Sequence, residues 1–172
     1  MYKEVAAAPA WLGVSTMADV YSLSNCISPH FIDYINYWRH NGYWLFDSPE
    51  IMEKLAKEAH ADLANVTLFY YEMYEYEFDD SIEDWVVVTS DPSFVTNVRE
   101  PVAKCLQGFD VVSFSLHASP ECSPLSCNEI AKEILVNQHC LLNTFEEAKR
   151  YIEQGAFKKS EPGPYRIIAI YT

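Results

Sequence analysis

The run Val66–Phe78, VTLFYYEMYEYEF, constrains the fold of this chain more than any other stretch. Tyr, Phe and Val dominate it, and such side chains suit a pleated, half-buried surface. It ends in Asp79-Asp80-Ser81, which reads as a turn, and Trp85–Thr89 then returns as a second extended run. Two strand-like runs joined by a polar turn predict a β-hairpin.

The rest of the chain alternates strand-like and helix-like segments. Residues 1–13 read as a loosely held lead-in, and 14–24 as a first strand. Ser28-Pro29 and Ser48-Pro49 each open a helix, because serine caps free backbone N–H groups and proline lacks the N–H not needed at the first helical position. Ile51, Met52, Leu55 and Ala59 form the predicted buried face of the second helix. A helix is expected around Val98–Leu106, and an alternating strand over Phe109–His117. Ser126-Cys127-Asn128-Glu129 and Thr144-Phe145-Glu146-Glu147 both match the reciprocal capping pattern, in which hydroxyl and carboxylate satisfy each other's orphan amides. They predict helices to about Asn137 and to Gly155, with a short strand His139–Leu142 between them. Glu161-Pro162-Gly163-Pro164 reads as a turn, and the isoleucine-rich run Tyr165–Tyr171 as a central strand.

Residues 20–56 and 116–152 spell a similar phrase at one constant offset. Cys26 falls on Cys122, Asn41 on Asn137, Leu45 on Leu141 and Glu50 on Glu146. The alternatives are an internal duplication and two ordinary αβα segments that happen to be spaced alike. The expected fold class is α+β: a single mixed β-sheet packed with helices, arranged as a pseudo-twofold pair of βαβαβ repeats over 14–78 and 109–172. One domain is expected over all 172 residues, a length that buries roughly two-thirds of the unfolded surface without help from metal or disulfide.

With 25 acidic and 12 basic residues, the formal charge is −13. Phosphate backbones require concentrated Lys and Arg, so nucleic acid is not an expected partner. Anionic membranes are disfavoured for the same reason. No apolar stretch approaches the ~18 residues of a membrane span, so no membrane association is expected. The first residues, MYKEVAAAPAWLGV, lack the long apolar core of a secretory signal. Five cysteines with no tight framework then point to reduced thiols and a cytoplasmic setting.

Several segments carry candidate chemistry. The loop from His117 to Cys127 follows a strand and precedes a helix, where ligands often bind in open αβ sheets. Cys127 in the first helical turn would favour a thiolate, with Cys122 as the alternative thiol and His117 as a base. The competing reading is a proline-stiffened connection over buried thiols that act as small apolar groups. Cys122, Cys127, His139 and Cys140 follow no zinc spacing, so neither metal nor cofactor is expected. Arg166, at a strand start beside a rigid turn, could clamp a carboxylate or phosphate, or pair with Glu161. The hairpin residues Tyr74, Glu75, Tyr76 and Glu77 combine aromatic anchors with charges that would steer a basic protein. No phosphate loop, nucleophile elbow, zinc-protease helix or dinucleotide fingerprint occurs.

These features favour a non-catalytic binding module for a basic protein. In composition it resembles small acidic bacterial immunity or inhibitor proteins. The alternatives are a thiol-dependent enzyme or redox protein using Cys127 or Cys122 with His117, and a small-ligand binder in a cleft between the two halves.

Overall fold

A computed structural model describes residues 2–4, 48–58, 60, 66–88, 99–114, 123–127 and 130–172. In chain order the elements are β1 (Tyr2–Glu4), α1 (Pro49–Glu58), β2 (Val66–Leu68), β3 (Tyr70–Asp79), β4 (Asp84–Val87), β5 (Leu106–Ser113), α2 (Pro124–Cys127), a 3₁₀ turn (Ile130–Lys132), α3 (Phe145–Glu153) and β6 (Tyr165–Tyr171). The fold is α+β, and no helix among the described residues is long and apolar enough to cross a membrane.

The main sheet has four strands in the order β4-β3-β6-β5, and every neighbouring pair is antiparallel. A mixed sheet is therefore corrected to an antiparallel one. The expected hairpin is present as β3 and β4, with Phe78 opposite Trp85 and Tyr76 opposite Val87. The Asp79 carboxylate accepts from the Ser81 amide at 2.8 Å and its hydroxyl at 2.6 Å, which tightens the turn. β6 lies between β3 and β5, as its apolar run requires, and all but its last residue are buried. The aromatic run itself divides at Phe69: β2 pairs not with this sheet but with β1, in a separate two-stranded ribbon. Tyr2–Glu4 thus belongs to a strand rather than a loose lead-in.

Local capping signals hold well. The Ser48 hydroxyl accepts from the Ile51 amide at 3.3 Å at the start of α1, whose Leu55 and Ala56 are buried. Thr144 and Glu147 make the complete reciprocal cap of α3, and Gly155 follows the helix at φ 69°. Ala148 and Ile152 of α3 pack with Val111, Leu142, Phe157 and Ile167 to form the core on one face of the sheet.

Two expected helices are not formed as expected among the described residues. Residues 99–105 run irregularly into β5, and the Cys105 N–H and C=O exchange hydrogen bonds with Thr172 at 2.7 and 3.0 Å. That pairing demands extended backbone, and Pro101 removes a helical donor. The helical turn α2 starts at Pro124, two residues before the supposed cap Ser126, and of residues 130–137 only Ile130–Lys132 is helical, as a 3₁₀ turn. The Asn137 side chain explains why the chain turns away. Its Oδ1 accepts from the amides of His139 at 2.9 Å and Leu141 at 3.2 Å, and its Nδ2 donates to Gln107 O at 2.7 Å. The expected strand 139–142 reduces to one antiparallel bridge between Leu142 and Phe109. Residues 14–47, which hold most of the first proposed repeat, lie outside the described residues, so the pseudo-twofold pair is a reading of the sequence alone.

Candidate functional site

Strand alternation places Tyr74, Tyr76 and Phe78 on the helix-bearing face of β3. Phe78 is sunk in the core at 3% exposure, whereas Tyr74 and Tyr76 remain 36% and 37% exposed. Their rings lie 5.2 Å apart. Beneath them are two edge-on aromatic contacts, from Tyr74 to Phe145 at 4.7 Å and to Trp85 at 6.0 Å. The Thr144 cap fixes where α3 begins, and so holds Phe145, its first residue, against the hairpin. Trp85 is itself positioned by Phe78 at 5.4 Å and by its indole N–H, which donates to Glu153 Oε1 at 2.9 Å. The Lys149 ammonium bonds to the same carboxylate and lies 5.4 Å from the Trp85 ring centre. The Lys149 and Trp85 hydrogen bonds hold the Glu153 carboxyl below the usual range, against a smaller opposing effect of burial.

The result is a small aromatic platform whose rings are fixed from below and open above. Glu146, which follows Phe145, is exposed, and Val87, 62% exposed, flanks Tyr76 across the hairpin, whereas Glu75 and Asp84 alternate to the opposite face. The surface offers ring faces and the Glu146 carboxylate.

Glu77 has a different role from its tyrosine neighbours. It points to the other face and accepts from Arg166 Nε at 2.8 Å. The Arg166 guanidinium lies 3.8 Å from the Phe114 ring centre, with Nη1 3.9 Å from the Met73 sulfur. Arg166 is only 9% exposed, and its partner is Glu77 rather than Glu161, whose backbone carbonyl instead accepts from the Tyr165 hydroxyl. Arg166 and Glu77 thus form an internal tie between β6 and β3, stacked and hydrogen-bonded as a planar guanidinium favours.

His117 and Cys122 lie outside the described residues, so their relation to Cys127 is a reading of the sequence alone. Cys127 lies in the helical turn Pro124–Cys127. Cys140 is buried with its Sγ 3.7 Å from Leu125 O, and Cys105 is exposed on the irregular segment before β5. Among the described residues no group of His, Cys, Asp or Glu is placed to hold a metal ion.

Two polar clusters escaped the sequence reading. Asp110, 1% exposed, accepts from the Ser123 hydroxyl at 2.6 Å and from the Val111 amide at 2.8 Å. The Tyr71 hydroxyl is buried with no hydrogen-bond partner among the described residues, and burial together with the Asp110 charge raises its pKa far above the ordinary phenol value. An acid inside the apolar run of β5 was the available signal. Beside Tyr71 along β3, Lys104 bonds to Glu72 and Glu100 and lies over the rings of Tyr171 at 4.5 Å and Tyr70 at 5.3 Å. Nothing local in an irregular segment announces that contact.

The chain matches no protein-family model, no curated protein and no solved structure.

Proposed function

We propose that the chain is a non-catalytic protein-binding module, inhibitory or immunity-like in kind, that docks a basic partner on the β3–β4 hairpin and the start of α3. The observation that carries this reading is the Tyr74–Tyr76 pair. Tyrosines held this firmly contribute large contact area at little entropic cost on binding, which is how aromatic anchors act at interfaces. Their exposure leaves that area unused within the chain. The exposed Glu146 and the net charge of −13 would steer a cationic protein and repel anionic ones. The exposed thiol of Cys105 suits a reducing compartment, in line with cytoplasmic residence.

The test is affinity capture with tagged wild-type protein and with the Tyr74→Ala/Tyr76→Ala variant, each at low and at high salt. The wild type should retain a basic protein at low salt and release most of it at high salt, because exposed charge pairs are screened within about 10 Å at ~0.1 M salt. The variant should retain at least about tenfold less, as expected for loss of an interface anchor worth more than about 1 kcal/mol at each ring. Equal retention by both proteins would overturn the reading, as would the absence of any basic protein at either salt.

A further inference from the structure

We propose that the partner contributes an arginine or lysine from an extended basic segment, and that this cation lies on the open faces of Tyr74 and Tyr76. The inference rests on the protein-binding reading and names the chemistry of its central contact.

The molecule itself supplies the first argument. Among the described residues four cations sit over aromatic rings: Lys104 over Tyr171 and Tyr70, Lys149 over Trp85, Arg150 over Tyr151 and Arg166 over Phe114, at 3.8–5.4 Å from the ring centres. Among the described residues no cation lies over Tyr74 or Tyr76, although theirs is the exposed ring pair of the hairpin. The nearest cation of α3 to this platform, Lys149, is committed to Glu153.

Charge supplies the second argument. A cation over a tyrosine face is attracted by the negative ring quadrupole, and nearby carboxylates strengthen that attraction. Glu146 is exposed beside Phe145 at the platform, and acids outnumber bases 25 to 12 over the chain. An acidic or phosphorylated segment would meet repulsion here. A purely apolar segment would find little beyond Val87 and the ring edges.

The edge of the sheet supplies the third. β4 is an outer strand, but its Trp85 amide is occupied by the Asp84 carboxylate at 2.8 Å. A donor occupied in this way blunts strand addition. Recognition at this edge therefore runs through side chains, and the rings are the large side chains on offer.

The probe is a short capped glycine–arginine peptide, titrated into the full chain while the ring resonances of Tyr74 and Tyr76 are followed by NMR. A matched peptide with citrulline keeps the shape and hydrogen-bonding plane of arginine but removes the charge. The arginine peptide should shift both rings, the lysine version less so, and the citrulline version hardly at all. Tyr74→Leu and Tyr76→Leu should each weaken arginine-peptide binding about two- to fivefold, the range expected of an exposed cation–ring contact. Tyr→Phe at either position should stay within about twofold, since the ring face is kept. Equal shifts from the citrulline peptide would overturn the inference, as would shifts confined to other acidic surfaces. So would self-association of the chain that the leucine variants abolish, because the platform would then be taken by a second copy. The citrulline comparison uses the unaltered protein, so it decides the matter even if a leucine variant unfolds. Peptide shifts confined to other surfaces leave the broader protein-binding reading standing. Failure of the capture experiment with a positive ring titration would sink that reading and keep the cation site.

Discussion

The two edges of the main sheet are finished in different ways. On the β5 side the chain closes the edge with its own backbone: Phe109 and Leu142 exchange N–H···O bonds at 2.9 Å, and Asn137 Nδ2 covers Gln107 O. Asp110 takes the Val111 amide, and both Leu141 and Leu142 are fully buried. On the β4 side, among the described residues, only Asp84 performs the equivalent task, by accepting from Trp85. The same device, an aspartate capping the next amide, is thus used once in the interior and once in water. The closed edge belongs to the core. The open edge is protected from adding a strand, yet it displays Tyr76 and Val87. A sheet edge can be made safe against aggregation and still remain a recognition surface, provided that side chains rather than backbone do the recognising.

The sharpest way to break the closed edge is at Gly108. Its φ of 146° is accessible in practice only to glycine, and an added Cβ would lie 2.7 Å from both Leu141 Cβ and Leu142 O. Gly108→Val should therefore cost about 3 kcal/mol or more, read as a fall in the urea midpoint, because backbone strain and overpacking act together. A stability within about 0.5 kcal/mol of wild type would mean that the 137–142 segment does not close β5. Asn137→Ala should cost less, about 1–2 kcal/mol, since it removes one donor and a shared acceptor while leaving the Phe109–Leu142 bridge in place. Amide exchange should then accelerate at His139 and Leu141 before it does in β6. Uniform acceleration across the sheet would place Asn137 in the global core rather than at the edge.

This contrast also explains what could be read in advance. The hairpin, the cap of α1, the reciprocal cap of α3 and its stop at Gly155 are all written within a few residues, as spacing and turn chemistry. Tyr74 and Tyr76 could be singled out for the same reason. The closing of β5 could not. Asn137 was counted as the end of a helix, because its bond to Gln107 joins segments far apart in the sequence and no local pattern encodes it. Glu77 was grouped with the tyrosines by adjacency, although alternation turns it to the other face, where Arg166 waits across β6. The antiparallel order of the sheet depends likewise on which distant edges meet. His117 and Cys122 fall outside the described residues.

The smallest effect concerns how the open edge is held. β4 is tied to α3 through the Trp85 indole and Glu153, a side-chain bond, where β5 is tied to its cover by backbone. Only the former titrates. The Glu153 carboxyl lies below its ordinary range in the folded chain, chiefly through Lys149 and then Trp85. A folded-state value below the unfolded one contributes stability above the unfolded pKa of about 4.3, and that contribution is lost as pH falls through the folded value. The part of the fluorescence that Trp85→Phe removes should therefore stay constant down to about pH 4 and change below it. Glu153→Gln should abolish that transition while shifting stability by no more than about 0.5 kcal/mol, as befits an exposed pair. The Phe109–Leu142 amides should exchange with no matching inflection. A transition centred at or above the ordinary glutamate value would show that Lys149 and Trp85 do not favour the charged carboxylate. The open edge would then rest on ring packing against Tyr74 and Phe78 alone.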